Sequence, residues 1–69
     1  MGYTKVMGAR ERILDYVRSA GKPVSSHNLS EGLGLPRNTV YYNTTVLVAA
    51  EKIKRYMGLA GVFVLAEEN

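Results

Sequence analysis

Residues 33–42 read LGLPRNTVYY, and this stretch decides how the chain folds. Gly34 favours the left-handed backbone conformation that ends a helix and opens a sharp turn. Pro36 follows two residues later, and proline is well tolerated at the first position of a helix. The stretch therefore predicts a helix before Gly34, a tight turn, and a new helix that begins at Pro36.

The helix that begins at Pro36 is predicted to run to about Ala50. Its buried stripe keeps the i, i+4, i+7 spacing of a helix and consists of Val40, Thr44 and Leu47. A strand over residues 39–48 is the alternative, because this segment is rich in β-branched residues. The helical spacing and the proline start signal favour the helix.

Two further helices precede the turn. Apolar residues recur at helical spacing over Ala9–Ala20, with charged residues on the other faces, which predicts a first amphipathic helix. A short second helix is capped by Ser25 or Ser26, whose hydroxyls can accept from free backbone N–H groups. We expect this second helix to end at Gly32 or Leu33.

After the third helix the apolar period shifts from helical spacing to alternation. Residues 53–57 and 62–65 are strand-like, and the glycine-bounded segment 58–61 separates them as a compact turn. The predicted fold class is therefore α+β, mainly α: three helices followed by a two-stranded β-hairpin.

Length and composition exclude many function classes. The chain has 69 residues, enough for one small domain with a minimal core. It has no Cys and one His, so it cannot build a disulfide framework, a thiolate metal site or a multi-His metal site. No nucleophile and base are spaced for catalysis. The expectation is a protein that is not an enzyme and that needs no cofactor or metal.

Charge and hydropathy narrow the partners. Nine Lys and Arg oppose six Asp and Glu, so the net charge of +3 is consistent with a polyanionic partner. No apolar run approaches the roughly 20 residues that span a bilayer. The first eight residues lack the apolar region of a secretory signal, so we expect a cytoplasmic protein without a membrane partner.

Four short motifs occur in a fixed order: PVSS at 23–26, LGLPRNTVYY at 33–42, LV at 47–48 and IKR at 53–55. Their order and spacing resemble the winged helix-turn-helix transcription regulators of bacteria and archaea, especially the small ArsR-, MarR- and IclR-like DNA-binding domains. The likeness runs from Ala9 to Leu65. LGLPRNTVYY alone is moderately specific, and the whole ordered pattern is more so.

The resemblance implies a domain organisation. A winged helix-turn-helix domain would occupy residues 9–66, with an N-terminal arm at 1–8 and a C-terminal tail at 67–69. Winged domains of this size resemble those on archaeal plasmids and viruses, which suggests an archaeal or viral source.

The chain departs from the family pattern at four places. Gly32 stands where alanine is common, Thr44 where a leucine usually fills the core, and Glu51 where glycine often follows the third helix. The tip of the wing, residues 58–61, has no Lys or Arg, whereas many wings use one to enter a minor groove.

The exposed face of the third helix is the strongest candidate for a binding surface. Arg37 and Asn38 lie in its first turn, where arginine can pair with guanine and asparagine with adenine. Tyr41, Tyr42 and Thr45 can add phosphate hydrogen bonds and contacts with thymine methyls. The simpler explanation is a solvated helix face on which Asn38 is a local cap.

A small basic cluster follows the third helix and consists of Lys52, Lys54 and Arg55. In a winged domain this place faces the sugar-phosphate backbone, so these residues would position the protein without reading sequence. Lys54 is favoured over Arg55, because alternation puts Arg55 on the face of Ile53. Ser26 could hold a phosphate at the start of the second helix, although helix capping explains it equally well.

A second copy of the chain is the other expected partner. Residues 62–65 are apolar on both strand faces, while one face suffices for a small core. Four further residues were candidates for exposed apolar surface: Tyr3, Val6, Val46 and Ala49. We expect a symmetric homodimer, and the alternative is that the N-terminal arm folds back over the strand.

Together these features predict a sequence-specific double-stranded DNA-binding protein. The expected role is a small transcriptional regulator, a repressor that inserts residues 36–50 into the major groove. One alternative is a winged-helix module that binds proteins and not DNA. Another is an architectural or replication-associated DNA binder. No small-molecule effector is evident from the sequence.

Overall fold

The computed structural model describes residues 8–66. The predicted N-terminal arm, apart from Gly8, and the C-terminal tail therefore lie outside the described residues. Along the chain the elements are α1 (Ala9–Ala20), β1 (Val24–Ser25), α2 (Ser26–Leu33), α3 (Arg37–Ala49), β2 (Ile53–Arg55), a 3₁₀ turn (Tyr56–Gly58) and β3 (Val62–Leu65). The three helices and the hairpin confirm the predicted fold class.

Capping interactions fix where α2 begins. Ser25 is the N-cap: its hydroxyl oxygen accepts from the Asn28 backbone N–H at 3.0 Å. The Asn28 side-chain oxygen in turn accepts from the Ser25 backbone N–H at 3.3 Å. This reciprocal capping box satisfies two donors that the start of a helix otherwise leaves unpaired. Of the two serines predicted as caps, Ser25 caps the helix and Ser26 is its first residue.

The turn between α2 and α3 forms as the glycine predicts. Gly34 has a left-handed φ of 66°, and the Leu35 N–H donates to the Ser30 carbonyl at 3.0 Å. Pro36 has an extended backbone, with ψ of 151°, so it is the N-cap of α3 and the helix begins one residue later than predicted. The strand alternative for residues 39–48 is wrong, because this whole segment is helical.

The sheet has one strand more than the predicted hairpin. It is antiparallel in the order β1-β3-β2, with Val24 opposite Phe63 and Ile53 opposite Leu65. The two residues of β1 are too few to show alternation, so the sequence predicted only an extended link there. β1 joins the wing to the start of α2.

The predicted first strand of the hairpin is too long. β2 ends at Arg55, and a 3₁₀ turn follows in which Met57 adopts a left-handed φ of 50°. Gly58 and Gly61 are also left-handed. The link between β2 and β3 therefore occupies residues 56–61 and is less compact than the predicted turn at 58–61.

One hydrophobic core holds these elements together, and every helix and strand contributes to it. Its buried apolar residues are Ile13, Val17, Val24, Leu29, Val40, Leu47, Ile53 and Phe63. Within the part of the chain that the structure describes, no helix is long and apolar enough to cross a membrane.

The structure gives a physical reason for each departure from the family pattern within the helices and at the end of α3. A Cβ on Gly32 would lie 2.7 Å from the Tyr16 ring, so the ring occupies the space that an alanine methyl would need. Thr44 is only 2% exposed, and its hydroxyl donates to the Val40 carbonyl at 2.8 Å. This bond lets a threonine fill a core position without leaving a buried polar atom unpaired.

Glu51 stands where the family pattern often has glycine, and its backbone adopts a conformation that favours glycine. Its φ is 61°, in the left-handed region. The Glu51 N–H donates to Val48 at 3.0 Å and the Lys52 N–H to Leu47 at 2.9 Å, the paired bonds of a Schellman motif. Glycine suits this left-handed position because it has no Cβ. Glu51 adopts the same backbone conformation with its Cβ crowded against the carbonyl oxygen.

Candidate nucleic-acid interface

The outer face of α3 is polar, aromatic and free of acidic residues. All five of its predicted site residues are exposed: Arg37, Asn38, Tyr41, Tyr42 and Thr45. Tyr41 is 74% and Tyr42 62% exposed, so both rings stand out from the surface. None of the 13 residues of α3 is Asp or Glu. Pro36 is the N-cap and no side chain caps the start of α3, so Asn38 does not act as a cap.

One flank of α3 faces the wing. Tyr41 and Thr45 line a small cleft of about 90 Å³ together with Ser26 and Arg55. Arg55 pairs with Phe63 across the sheet, which places it on the core-facing side of β2, as the alternation predicted. That side also faces α3, so Arg55 and Tyr41 line the same cleft.

The other two members of the basic cluster lie further from this cleft. Lys54 pairs with Val64 and points to the opposite face of the sheet from Arg55. Lys52 is exposed directly after α3, where its backbone N–H closes the helix end. The cluster therefore presents cations on both faces of the strand that leaves α3.

Ser26 connects α2 to the wing. Its backbone N–H donates to the Gly61 carbonyl at 2.8 Å, and its hydroxyl lies 3.4 Å from the same oxygen. These bonds fix the root of the wing against α2. A phosphate at this point would meet the Ser26 hydroxyl only if that hydroxyl turned away from Gly61.

The opposite flank of α3 faces α1, and here the sequence reasoning missed two contacts. The Arg10 Nε donates to the Asn43 Oδ1 at 3.1 Å, and the Arg10 guanidinium carbon lies 6.0 Å from the centre of the Tyr42 ring. Arg12 donates from Nη2 to the Leu33 carbonyl at 2.8 Å. Two arginines of α1 thus tie this helix to both other helices.

Asn43 is the residue whose position in the sequence could have indicated the contact between α3 and α1. It is only 8% exposed, and its side-chain NH₂ donates to the Thr39 carbonyl at 2.8 Å. At 100° per residue it lies next to Val40 and Leu47 on the wheel of α3. A polar residue so close to the core stripe needs partners, and this requirement could have pointed to α1.

A separate open cleft of about 670 Å³ lies between α1, β1 and α2. Its floor includes Val24 and Leu33, and its rim includes Arg12, Asp15 and Lys22. Among residues 8–66 no group of three or more His, Asp or Glu side chains could hold a metal ion. The arrangement of the described residues offers a surface for a polyanion.

Comparison with known families agrees with this geometry. The sequence model of the IclR helix-turn-helix domain matches residues 12–53, well over half of the chain. The chain belongs to this family. The match begins in α1 and ends at the first residue of β2, so the IclR helix-turn-helix domain accounts for all three helices. The protein is accordingly a DNA-binding domain of the transcription-regulator type.

A solved structure supports the fold of this IclR-type domain beyond the helices. The chain is similar to the structure of the ferric uptake regulator from Francisella tularensis, solved with iron, with a TM-score of 0.72 and 21% sequence identity. The match covers 100% of this chain and 58% of that regulator. The likeness shows a shared winged-helix fold. No curated protein sequence matches the chain.

Proposed function

We propose that this domain binds double-stranded DNA sequence-specifically by inserting α3 into the major groove, and that it acts as a small transcriptional repressor by covering a promoter. One observation carries the proposal: α3 presents an exposed face without acids, and cations stand beside it. A helix of 13 residues is about 20 Å long, and its diameter of about 10–12 Å matches a major groove about 12 Å wide.

The proposal divides the site residues into two roles. Arg37 and Asn38, in the first turn of α3, would read base edges, while Tyr41, Tyr42 and Thr45 would contact bases and phosphates nearby. The basic cluster of Lys52, Lys54 and Arg55, with Ser26, would position the domain on the backbone. Double-stranded DNA as the partner implies that the protein acts in the cytoplasm.

Two variants separate these roles. Arg37→Ala should weaken binding to the preferred sequence by about 1–3 kcal/mol and relax specificity at one base pair. Lys54→Ala should weaken binding to all sequences alike and lower the salt slope by about one. Arg18→Ala, at the exposed C-terminal end of α1, is the control that removes a cation away from α3.

The preferred sequence is first obtained by selection from a random duplex pool, and binding is then titrated by fluorescence anisotropy at several salt concentrations. If both Arg37→Ala and Lys54→Ala bind like the wild type at every salt concentration, the proposed interface is wrong.

We further propose that the domain binds as a symmetric homodimer. On the outer face of the sheet Val62 and Val64 are only half-buried, and Leu65, on the other face at the end of β3, is exposed. Of the other predicted apolar residues, Ala49 is exposed, Val46 is half-buried, and Tyr3 and Val6 lie outside the described residues. Sedimentation equilibrium should give the mass of two chains, and selected sequences should contain two half-sites about one helical turn apart.

A second candidate function rests on the wing tip. Met57 is 80% and Leu59 52% exposed, and residues 56–61 contain no Lys or Arg. Exposed apolar residues in the turn of the wing suit the binding of a protein partner, as an alternative to DNA. Random duplex at low salt distinguishes the candidates, because only a DNA-binding domain shows salt-sensitive binding. A footprint without discrete half-sites would instead indicate an architectural or replication-associated DNA binder.

A further inference from the structure

We infer that Arg10 of α1 is a further phosphate-binding residue, held by Asn43 on the flank of α3 opposite the wing. This inference rests on the proposed binding of DNA by α3 and names a contact on the other side of the groove. It begins with a chain of two hydrogen bonds. The Thr39 carbonyl accepts from Asn43, and the Asn43 Oδ1 accepts from the Arg10 Nε.

The first bond fixes the amide of Asn43. Because its NH₂ group is taken up by the Thr39 carbonyl at 2.8 Å, its oxygen is left to face Arg10. Asn43 and Thr44 are the buried polar residues in the described part of the chain. A buried amide with both ends engaged is a rigid acceptor, so the position of the Arg10 guanidinium is set before any ligand arrives.

The second bond uses one of the five N–H groups of Arg10. The remaining four belong to the two Nη atoms, and among residues 8–66 none of them has a hydrogen-bond partner or a carboxylate. The one ion pair in that part of the chain joins His27 and Glu31. The outer edge of a guanidinium with two Nη groups matches the oxygens of a phosphate in a bidentate contact.

Tyr42 shows that this edge belongs to the DNA-binding surface. The Arg10 guanidinium lies over its ring at 6.0 Å, and the ring itself is 62% exposed on the outer face of α3. A guanidinium on an aromatic face keeps its charge and loses side-chain freedom. Arg10 is therefore an oriented, exposed cation at the edge of the helix that enters the groove.

Each flank of α3 thus has a tyrosine and an arginine. Tyr41 faces the wing and its Arg55, while Tyr42 lies about 100° further around the helix and faces Arg10. The major groove is bounded by a phosphate backbone on each side, about 12 Å apart. A helix with an arginine on each flank can contact both backbones, which fixes its rotation in the groove as well as its depth.

The alternative is that Arg10 only ties α1 to α3. Arg10→Gln tests this, because the glutamine amide can still donate to Asn43 while the positive charge is lost. The matched control is Arg18→Gln, which removes the same charge about 12 Å further along α1. Circular dichroism of each variant confirms that it is folded before binding to a random duplex is measured by anisotropy.

One lost phosphate contact lowers the slope of log affinity against log salt by about 0.9. Arg10→Gln should therefore weaken binding about eightfold at about 100 mM salt and about fourfold at about 200 mM. Arg18→Gln should change binding less than about twofold at either salt concentration, since it is not expected to touch a phosphate.

Asn43→Asp neutralises the Arg10 charge in place without removing the arginine, although it also removes the bond from the Asn43 NH₂ to the Thr39 carbonyl. The new carboxylate would pair with the Arg10 guanidinium, so the salt slope should fall as it does in Arg10→Gln. Ser19→Asp adds the same charge at the exposed far end of α1 and should leave the slope within about 0.3 of the wild type. A purely structural contact between α1 and α3 would not lower the slope when that contact becomes stronger.

The outcomes separate the two levels of the argument. If the wild type binds duplex and Arg10→Gln keeps the wild-type slope, the phosphate contact is refuted and the proposed function stands. If Asn43→Asp also keeps the wild-type slope, the guanidinium beside Asn43 contacts no phosphate. If the wild type does not bind duplex DNA at about 50 mM salt, the proposed function fails, and the phosphate contact of Arg10 fails with it.

Discussion

Replacing Glu51 by glycine should stabilise this domain. Glu51 is the left-handed residue, with φ of 61°, that closes the Schellman motif after α3. An L-residue with a Cβ pays about 1–2 kcal/mol for this conformation, and glycine does not. The glycine variant in turn loses about 0.4–1 kcal/mol of stability, because its unfolded chain has greater conformational freedom. The net expectation is a gain of about 0.5–1 kcal/mol in the free energy of unfolding.

The assay is urea unfolding followed by circular dichroism, together with thermal melting. In a domain of this size each kcal/mol corresponds to about 4–8 °C in Tm, so Glu51→Gly should raise Tm by about 2–8 °C. Two controls isolate the cause. Glu51→Ala removes the carboxylate but keeps a Cβ, and it should gain nothing from relief of strain.

The second control is Ala50→Gly, one residue earlier, where φ is −83° and the backbone suits any residue. It should lose about 0.5–1 kcal/mol, since glycine there brings only its entropic cost. If Glu51→Gly and Glu51→Ala unfold at the same urea concentration, the left-handed backbone of Glu51 stores no strain and the reasoning is refuted.

Three more stability predictions follow from the packing. Gly32→Ala should cost a net of about 0–2 kcal/mol: displacing the Tyr16 ring, which would lie 2.7 Å from the new Cβ, costs about 1–3 kcal/mol, and alanine regains about 1 kcal/mol over glycine in a helix. In a Tyr16→Ala background the same change should become stabilising, and a cost that persists there would point to another cause. Ser25→Ala should cost about 1 kcal/mol in urea unfolding by removing the N-cap of α2, and a loss below about 0.3 kcal/mol would contradict that role. Thr44→Val should change the free energy of unfolding by less than about 1 kcal/mol, because the Val40 carbonyl stays within its helix; a loss above about 2 kcal/mol would show that the hydroxyl is essential.

The helices were predictable because their signals are local. Gly34 ends α2 in a left-handed turn, Ser25 caps it, and the buried stripe of α3 keeps helical spacing despite its β-branched residues. Each of these effects acts within about four residues of the chain. The exposure of the five site residues on α3 followed from the same wheel that buried Val40 and Leu47.

The sheet was predicted only in part, since its pairing partners are distant in sequence. Val24 reaches Phe63 across 39 positions of the chain, and two residues of strand leave no alternation to read. The end of β2 at Arg55 was missed for a similar reason. The change of direction at Met57 depends on a left-handed backbone at a residue type that rarely adopts it.

The helix-turn-helix, the place of the wing, and the polar, acid-free face of α3 are predictable from the sequence, because the 3.6-residue period and the turn chemistry depend on neighbouring residues. The packing of separate elements, by contrast, sets which residues lie on each flank of that face. It places Arg55 and Tyr41 in one cleft and Arg10 beside Tyr42, and it buries Asn43 between α1 and α3. These contacts depend on how separate elements pack, and no local periodicity encodes a contact between two residues, Arg10 and Asn43, that are 33 positions apart in the chain.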